Sequence, residues 1–349
     1  MIVRFGLIGA GAIGQIRAQA LATASGFELT GIHDLDRVRA AKIAPNARFH
    51  ATALDMFAAE DIDAVIVATP PQFHEELARG AMEAGKHVLV EKPMAPTLAA
   101  CRSMVETAAR TGRVLTVGFN HRYFPALKLV HDAARSGALG KITHVRAYAG
   151  HMGLQEFGAP WMYDRNIMGG GALMDNGIHI LDLVRYLMGD FNEVYGHTSN
   201  KVWNLDAEDN VIALFRSTEG VLGSLQASWS EWKGYRFHIE IYGDHGMARA
   251  YYAPMMATII TLDKPGGERQ VKRHFFPGNI LREKLRGWQS TTIRAFHEEF
   301  ADFKALAQGG SGSGRIATGA DGLRSIEVAH SVYASDRSGQ ATILGPFPG

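Results

Sequence analysis

The run Gly9-Ala10-Gly11-Ala12-Ile13-Gly14 stands directly after an apolar stretch, Val3–Ile8, and directly before a helical one, and it constrains this chain more than any other feature. A strand, a turn with three glycines at that spacing and a helix form the opening of a β-α-β unit. Gly9 permits the tight turn, Gly11 lets the backbone approach a pyrophosphate, and Gly14 lets the helix pack close to the strand. The helix then aims its unpaired amides, and the positive end of its dipole, at phosphate groups. An acid follows at the expected remove, Asp34 at the end of Glu28-Leu-Thr-Gly-Ile-His-Asp34. Its carboxylate can accept from the ribose hydroxyls of an adenosine and would repel a 2'-phosphate, so the reading is NAD rather than NADP. Asp36 is placed to cap the next helix instead, and Arg37 and Arg39 leave room for the phosphorylated cofactor.

The pattern around this turn repeats. Residues 3–8, 28–33, 64–68, 87–91 and 114–118 read as strands, with a shorter one at 48–50, and several are apolar in succession, as in a parallel sheet covered on both faces. Residues 13–23, 73–84 and 98–110 have helical spacing between them. The rhythm changes after Asn120. Residues 123–136 read as a helix, 141–149 as a strand, and a longer helix runs from Gly170 or Ala172 to Leu187. Strands at 210–215, 220–230, 235–242, 247–252 and 258–262 then suggest a largely antiparallel sheet, followed by a helix at 291–306 and a Gly/Ser loop at 308–314. The expected architecture is α/β: a Rossmann domain over residues 1–120 and a second α/β domain, with a large and mostly antiparallel open sheet, over 121–349.

Composition narrows the function classes. A formal net charge of +1 gives no field for nucleic acid or anionic lipid. No run reaches the roughly 20 apolar residues that span a bilayer, and the opening residues from Met1 lack the h-region and cleavage site of a secretion signal. The one cysteine, Cys101, excludes an internal disulfide and suits a reducing compartment. A cytoplasmic enzyme is the expectation.

Three further segments carry candidate chemistry. Glu91-Lys92-Pro93 follows a buried strand, where a lysine can extend from a rigid end and stabilise charge developing on a substrate oxygen. Thr69-Pro70-Pro71 follows another strand, at a position where loops line ligands; Thr69 can touch a cofactor, and the prolines can equally stiffen a turn. His74, just beyond, suits capping or packing as well as catalysis. In Gly169-Gly170-Gly171-Ala172-Leu173-Met174-Asp175-Asn176-Gly177-Ile178-His179, a helix would put Asp175 and His179 on one face, four apart. His179 can exchange a proton near neutral pH and Asp175 can orient it, while Asp182, one turn on, competes as its partner. No dense Cys/His cluster or H-E-x-x-H run is present, which disfavours a metal.

In their order, the glycine turn, Glu91-Lys92-Pro93 and the segment from Gly169 to Asp182 resemble the Gfo/Idh/MocA oxidoreductases over nearly the whole chain. The resemblance implies Lys92, Asp175 and His179 as catalytic residues and a sugar, sugar derivative or cyclic polyol as substrate. It implies a hydroxyl held by Lys92 and His179, with His179 taking the proton as hydride passes to NAD. Gly9, Gly11, Ala12, Ile13, Gly14, Asp34, Thr69, Pro70, Glu91 and Lys92 are assigned to the cofactor. Lys92, His121, Arg122, Trp161, Arg165, Asp175, Asn176 and His179 are assigned to the substrate. For His121 and Arg122 structural hydrogen bonding is an equal alternative, and for Trp161 packing is. Asn176 departs from the apolar residue usual after this aspartate. The family also implies a homodimer or homotetramer built on the second-domain sheet. An NAD-dependent glycosidase using transient oxidation, and a nucleotide-binding sensor without turnover, remain as alternatives.

Overall fold

The computed structural model describes residues 2–155 and 159–346; Met1, at the opening read above, lies outside the described residues. The chain divides into two units. One runs to Tyr123 and takes up Leu285–Leu323; the other comprises Phe124–Lys284 and the chain from Arg324 onward.

The first unit is a Rossmann fold. Its strands β1 (Val3–Ile8), β2 (Phe27–His33), β3 (Arg48–Phe49), β4 (Ala64–Val67), β5 (His87–Val90) and β6 (Leu115–Val117) pair in parallel in the order β6-β5-β4-β1-β2-β3. The short strand Ala317–Thr318 adds antiparallel to β6. All four residues of β4 are buried, because helices cover both faces; this is why these strands read as continuous apolar runs. The strand order reverses between β1 and β4, which opens a crevice beyond their carboxyl ends where ligands bind in such sheets.

The expected boundary at residue 120 falls beside the break at Tyr123, but the expected placing of all of 121–349 in the second domain does not match this division, because Leu285–Leu323 returns to the first unit. The helix Gln289–Ala307 belongs to the first unit, where Phe300 and Phe303 lie 5.6 and 5.4 Å from the ring of Phe5 and Phe296 packs within the same core. Each such buried ring contributes about 1.5–3 kcal/mol. One face of β1 and β2 would otherwise lack this cover, and nothing local in 289–307 says which sheet it serves.

The second unit holds β7 (Ile142–Gly150), β8 (Phe191–Ser199), β9 (Asn210–Ser217), β10 (Leu222–Ser228), β11 (Arg236–Gly243), β12 (Gly246–Tyr252), β13 (Met256–Leu262) and β14 (Arg269–Phe275). They form one sheet in the order β14-β13-β12-β11-β7-β10-β9-β8, closed at its edge by Thr342–Ile343. Pairing is antiparallel except between β7 and β10, which run parallel in register from His144↔Leu222 to Gly150↔Ser228. Along β9, Val211, Ala213 and Phe215 point into the core while Ile212, Leu214 and Arg216 point outward. The helix Ile178–Met188 packs on the buried face. Strands β8 and β14 and the helices Pro277–Arg286 and Gly319–Ser338 had not been read from the sequence. Among the described residues, no helix is long and apolar enough to cross a membrane.

Candidate active site

In the first unit, the glycine turn joins β1 to the helix Ala12–Thr23. Gly9 has φ +100°, and a Cβ there would lie 2.5 Å from the carbonyl oxygen of Ala68, while a Cβ on Gly14 would overlap the carbonyl oxygen of Gly9. Both contacts exclude any side chain, so the helix start is clamped against the end of β4. A Cβ on Gly11 would meet nothing within 4 Å. The helix has no side-chain cap and no acid in its first turn, so its leading amides, from Ala12 and Ile13 onward, are left for an anion.

Asp34 follows β2, beside β1, and is bonded to the glycine turn itself. Its Oδ2 accepts from the Ala10 amide at 2.6 Å, and its Oδ1 accepts from the Asp36 amide and the Arg39 guanidinium, each at 2.7 Å. Burial works to raise its pKa, but the two amides and Arg39 outweigh it and hold the carboxyl below its ordinary value. Asp36 caps the helix Arg37–Ile43, accepting from the Arg39 amide at 2.9 Å. After β4, Thr69 Oγ1 is buried with no hydrogen-bond partner among the described residues, an orphaned group that a bound ligand can satisfy. Pro70 precedes the turn Pro71–Phe73. His74 is spent on structure: its Nε2 lies 2.8 Å from the Thr69 carbonyl and its Nδ1 3.1 Å from that of Pro93, tying the two ligand-side turns together. An open Gly11, uncapped amides, an ionised Asp34 and an orphaned Thr69 hydroxyl together suit a dinucleotide.

Lys92 follows β5 half-buried, and its peptide bond to Pro93 is cis. Glu91 is buried, and its carboxylate accepts from Arg17 Nε at 2.7 Å, so that side chain is held by protein. His121 is buried, and burial, helped by the charge of Lys92, pushes its pKa down to about 3. A ring neutral at working pH is a poor proton shuttle. Arg122 makes structural contacts: its Nη1 donates to the carbonyls of Arg315 and Ile316, each at 3.4 Å, and its Nη2 lies 3.6 Å from Asp321.

In the second unit the expected α-helix from Gly170 or Ala172 starts differently. Leu173–Gly177 is one turn of π-helix, closed by the Gly177 amide on the Ala172 carbonyl at 2.9 Å, and only then does the helix Ile178–Met188 begin. The wider turn carries Asp175 and Asn176. Asp175 Oδ2 accepts from two donors the sequence reading missed: His151 Nε2 at 2.8 Å and Trp229 Nε1 at 3.1 Å. His151 Nδ1 accepts from the Gly153 amide at 2.9 Å, which puts the ring proton on Nε2, facing the carboxylate.

The sheet explains why these donors converge. His151 leaves the end of β7 and Trp229 the end of β10, and because those strands run parallel both ends reach the same side. Tyr163 packs edge-on against Trp229 with ring centres 5.5 Å apart, and burial with the Asp175 charge pushes its hydroxyl up to about 12. Tyr163, two residues after Trp161 on the same turn, thus neighbours Asp175. Asn176 is buried, and neither its amide oxygen nor its nitrogen has a hydrogen-bond partner among the described residues. His179 is 8% exposed in the first turn of its helix, with Asp182 fully buried one turn on.

The turn is braced from behind by Glu208. A Cβ on Gly171 would overlap the Glu208 carbonyl oxygen, so only glycine allows this approach. Glu208 Oε1 accepts from the Gly171 amide at 2.9 Å, the Leu173 amide at 3.1 Å and the Tyr333 hydroxyl at 2.8 Å. Burial raises the pKa of this carboxyl against the pull of those donors. Arg165 is exposed; its guanidinium lies 3.7 Å from Glu208 Oε2 and 5.5 Å above the Tyr333 ring. Among the described residues, no group of three or more His, Cys, Asp or Glu is arranged to hold a metal ion.

The chain matches an oxidoreductase family with an NAD-binding Rossmann fold over residues 3–119, and the GFO/IDH/MocA C-terminal domain over residues 127–249. It is 30% identical over 352 residues to inositol 2-dehydrogenase 2 of Saccharopolyspora erythraea, spanning 97% of this chain and 94% of that enzyme. It is 28% identical over 298 residues to levoglucosan dehydrogenase of Pseudarthrobacter phenanthrenivorans, spanning 74% of this chain and 75% of that enzyme. Among solved structures, levoglucosan dehydrogenase in complex with NADH and levoglucosan superposes with a TM-score of 0.86 at 26% identity, covering 99% of this chain and 100% of that one.

Proposed function

The chain belongs to the Gfo/Idh/MocA family of NAD-dependent oxidoreductases, and from that premise we propose that it oxidises a ring hydroxyl of a cyclic polyol or sugar with Lys92, Asp175 and His179 as its catalytic residues. Its cofactor is NAD. When bound, NAD supplies the acceptor for the hydride that leaves the substrate carbon. The uncapped amides after Gly11 hold the pyrophosphate, and Asp34 accepts from the ribose hydroxyls.

Lys92 polarises the substrate oxygen and stabilises the charge that grows there. His179 takes the hydroxyl proton, and in reverse returns it to a ketone. Asp175 orients the hydroxyl. The observation that carries this reading is the immobilised carboxylate: His151 and Trp229 pin one oxygen of Asp175 on the π turn, four residues before His179. A carboxylate so held costs no reorganisation when substrate binds. Asn176 supports the same reading, because its orphaned amide can pair with a polyhydroxylated ligand. Trp161 and Arg165, on the turn and short helix before the glycines, belong to the substrate contacts proposed here.

A homodimer or homotetramer built on the second-unit sheet belongs to this reading too, since Ile212, Leu214 and Leu222 stand more than half exposed on its outer face. The same holds for a reducing cytoplasmic setting, which suits the one cysteine, Cys101. The test is a panel of inositols, anhydrosugars and free sugars followed by NADH absorbance. Net NADH from a member of the panel, lost in His179→Ala and Lys92→Met variants that still bind NADH, is the expected result. Glycoside cleavage without NADH accumulation, or binding without any turnover, would replace the proposal.

A further inference from the structure

Beneath Lys92 lies a charged cluster that the proposed chemistry does not use. Arg17, on the helix that follows the glycine turn, has no solvent exposure and lies against the Phe296 ring, 3.5 Å from its centre. Its Nε donates to Glu91 Oε1 at 2.7 Å, its Nη2 lies equally close to that oxygen, and its Nη1 donates to Glu299 Oε2. The other Glu91 oxygen, Oε2, accepts from the Lys92 amide at 3.3 Å. A Cβ on Gly118, at the end of β6, would fall 2.8 Å from both Arg17 Nη2 and Glu91 Oε2, so the pair fills its space. One guanidinium thus serves two buried carboxylates, and one of them grips the backbone of Lys92.

We infer that Arg17 is a positioning residue for Lys92, fixing the end of β5 through Glu91 and dividing that hold with Glu299. The inference rests on the assignment of Lys92 above. Removing a buried partner leaves Glu91 charged and unpaired, and the strand end shifts to relieve it. The groups facing Glu299 are Arg17 from the first helix, Glu91 from the end of β5, Tyr123 from the turn after β6, and Asp302 from its own helix. Burial and the neighbouring carboxylates push Glu299 up to about 7 against the pull of Arg17. Below that pH Arg17 belongs to Glu91 alone; above it, two anions compete for one cation.

The test uses the full chain with NAD and whichever of myo-inositol and levoglucosan it oxidises faster. Arg17→Met should lower kcat about a hundredfold, the scale of a small misplacement of a reacting group. The KM for the polyol, and NADH affinity read by quenching of protein fluorescence, should stay within about threefold. Arg17→Lys should recover part of the loss. The ratio of wild-type kcat to that of Glu299→Gln should fall as pH rises through about 7. Should Arg17→Met fail to fold, Arg17→Lys and Glu91→Gln carry the same comparison. Unchanged kcat in the Arg17 variants, with Lys92→Met inactive, overturns the inference and leaves the assignment of Lys92 intact. Retained kcat in Lys92→Met overturns the assignment itself. A flat ratio across pH refutes the division of the hold with Glu299.

Discussion

His151 donates to Asp175 across 2.8 Å, and its own second nitrogen is fixed by the Gly153 amide, so the imidazole is locked in one tautomer against a buried carboxylate. Together with Trp229 Nε1, the locked ring keeps Asp175 in a single orientation. Replacing His151 with alanine removes a hydrogen bond to a charged group, about 1.5–3 kcal/mol. If the bond acts in the transition state, kcat drops roughly tenfold to a hundredfold. Steady-state kinetics on the polyol panel, with a melting curve to confirm folding, would check it; an unaltered kcat would show that the His151 bond plays no part in the chemistry.

Trp229→Phe leaves an aromatic ring against Tyr163 and removes the Nε1 donor to Asp175. The expected loss in kcat is about tenfold or less, consistent with one of two donors to the same oxygen. The double variant with His151→Ala should lose less or more than the two singles combined, since both act on one carboxylate. Strict additivity in that cycle would argue that the two donors serve different functions.

Glu208→Ala strips the acceptor from the Gly171 and Leu173 amides and from the Tyr333 hydroxyl, all buried. The expected destabilisation is about 2–3 kcal/mol, read by urea melts. Tyr333→Phe should cost less, because it frees no buried donor. Equal melts for wild type and Glu208→Ala would mean that the π turn holds its shape unaided.

Asp34→Ala should raise the KM for NAD about tenfold through the lost ribose bonds. It also releases Arg39, whose guanidinium Asp34 binds at 2.7 Å, so discrimination against NADP should narrow. The ratio of kcat/KM for the two cofactors measures this. An unchanged ratio would place discrimination elsewhere.

His121 supplies a prediction for pH. Its folded pKa, about 3, lies below the ordinary histidine value of 6.5, so between those limits the unfolded chain binds a proton that the folded chain refuses. This contribution to stability is present above about pH 6.5 and is lost as pH falls towards about 3. Glu299 works in the opposite sense: with its folded pKa raised to about 7 from 4.5, it favours the folded state less as pH rises through that window. Melting temperatures of His121→Gln and Glu299→Gln relative to wild type should therefore diverge in opposite directions between about pH 5 and about pH 7. Parallel curves would mean that neither group is held as described.

What could be read from the sequence was what is settled locally. The turn Gly9–Gly14 is spelled by the spacing of its own glycines, and fully apolar strands such as Ala64–Val67 by their unbroken composition. Strand β14 escaped because it is an edge, Arg-Gln-Val-Lys-Arg-His-Phe, with hardly any face buried to impose alternation. The π turn was hidden because Asp175 and His179 stand four apart, as on an α-helix. The extra residue is accommodated by bonds from Glu208, and His151 and Trp229 fasten the turn, all remote in the chain. The signal for His151 was slight: a histidine in Gly150-His151-Met152-Gly153 at a strand end. That two donors would meet there depends on β7 and β10 running parallel inside an otherwise antiparallel sheet, which no window of residues expresses. Asp34 and Lys92 are legible from position, whereas the commitment of Glu91 to Arg17 is made across the fold by residues 74 apart in the chain.

Three phenylalanines that complete the core around Phe5, at positions 296, 300 and 303, are encoded after almost the whole second unit. On the ribosome, the nucleotide-binding half therefore emerges with an apolar wound in its flank and must wait for residues 124–284 to be synthesised before it can close. A truncated polypeptide ending at Tyr123 carries every glycine and acid needed to recognise dinucleotide, and lacks the wall that keeps them in place.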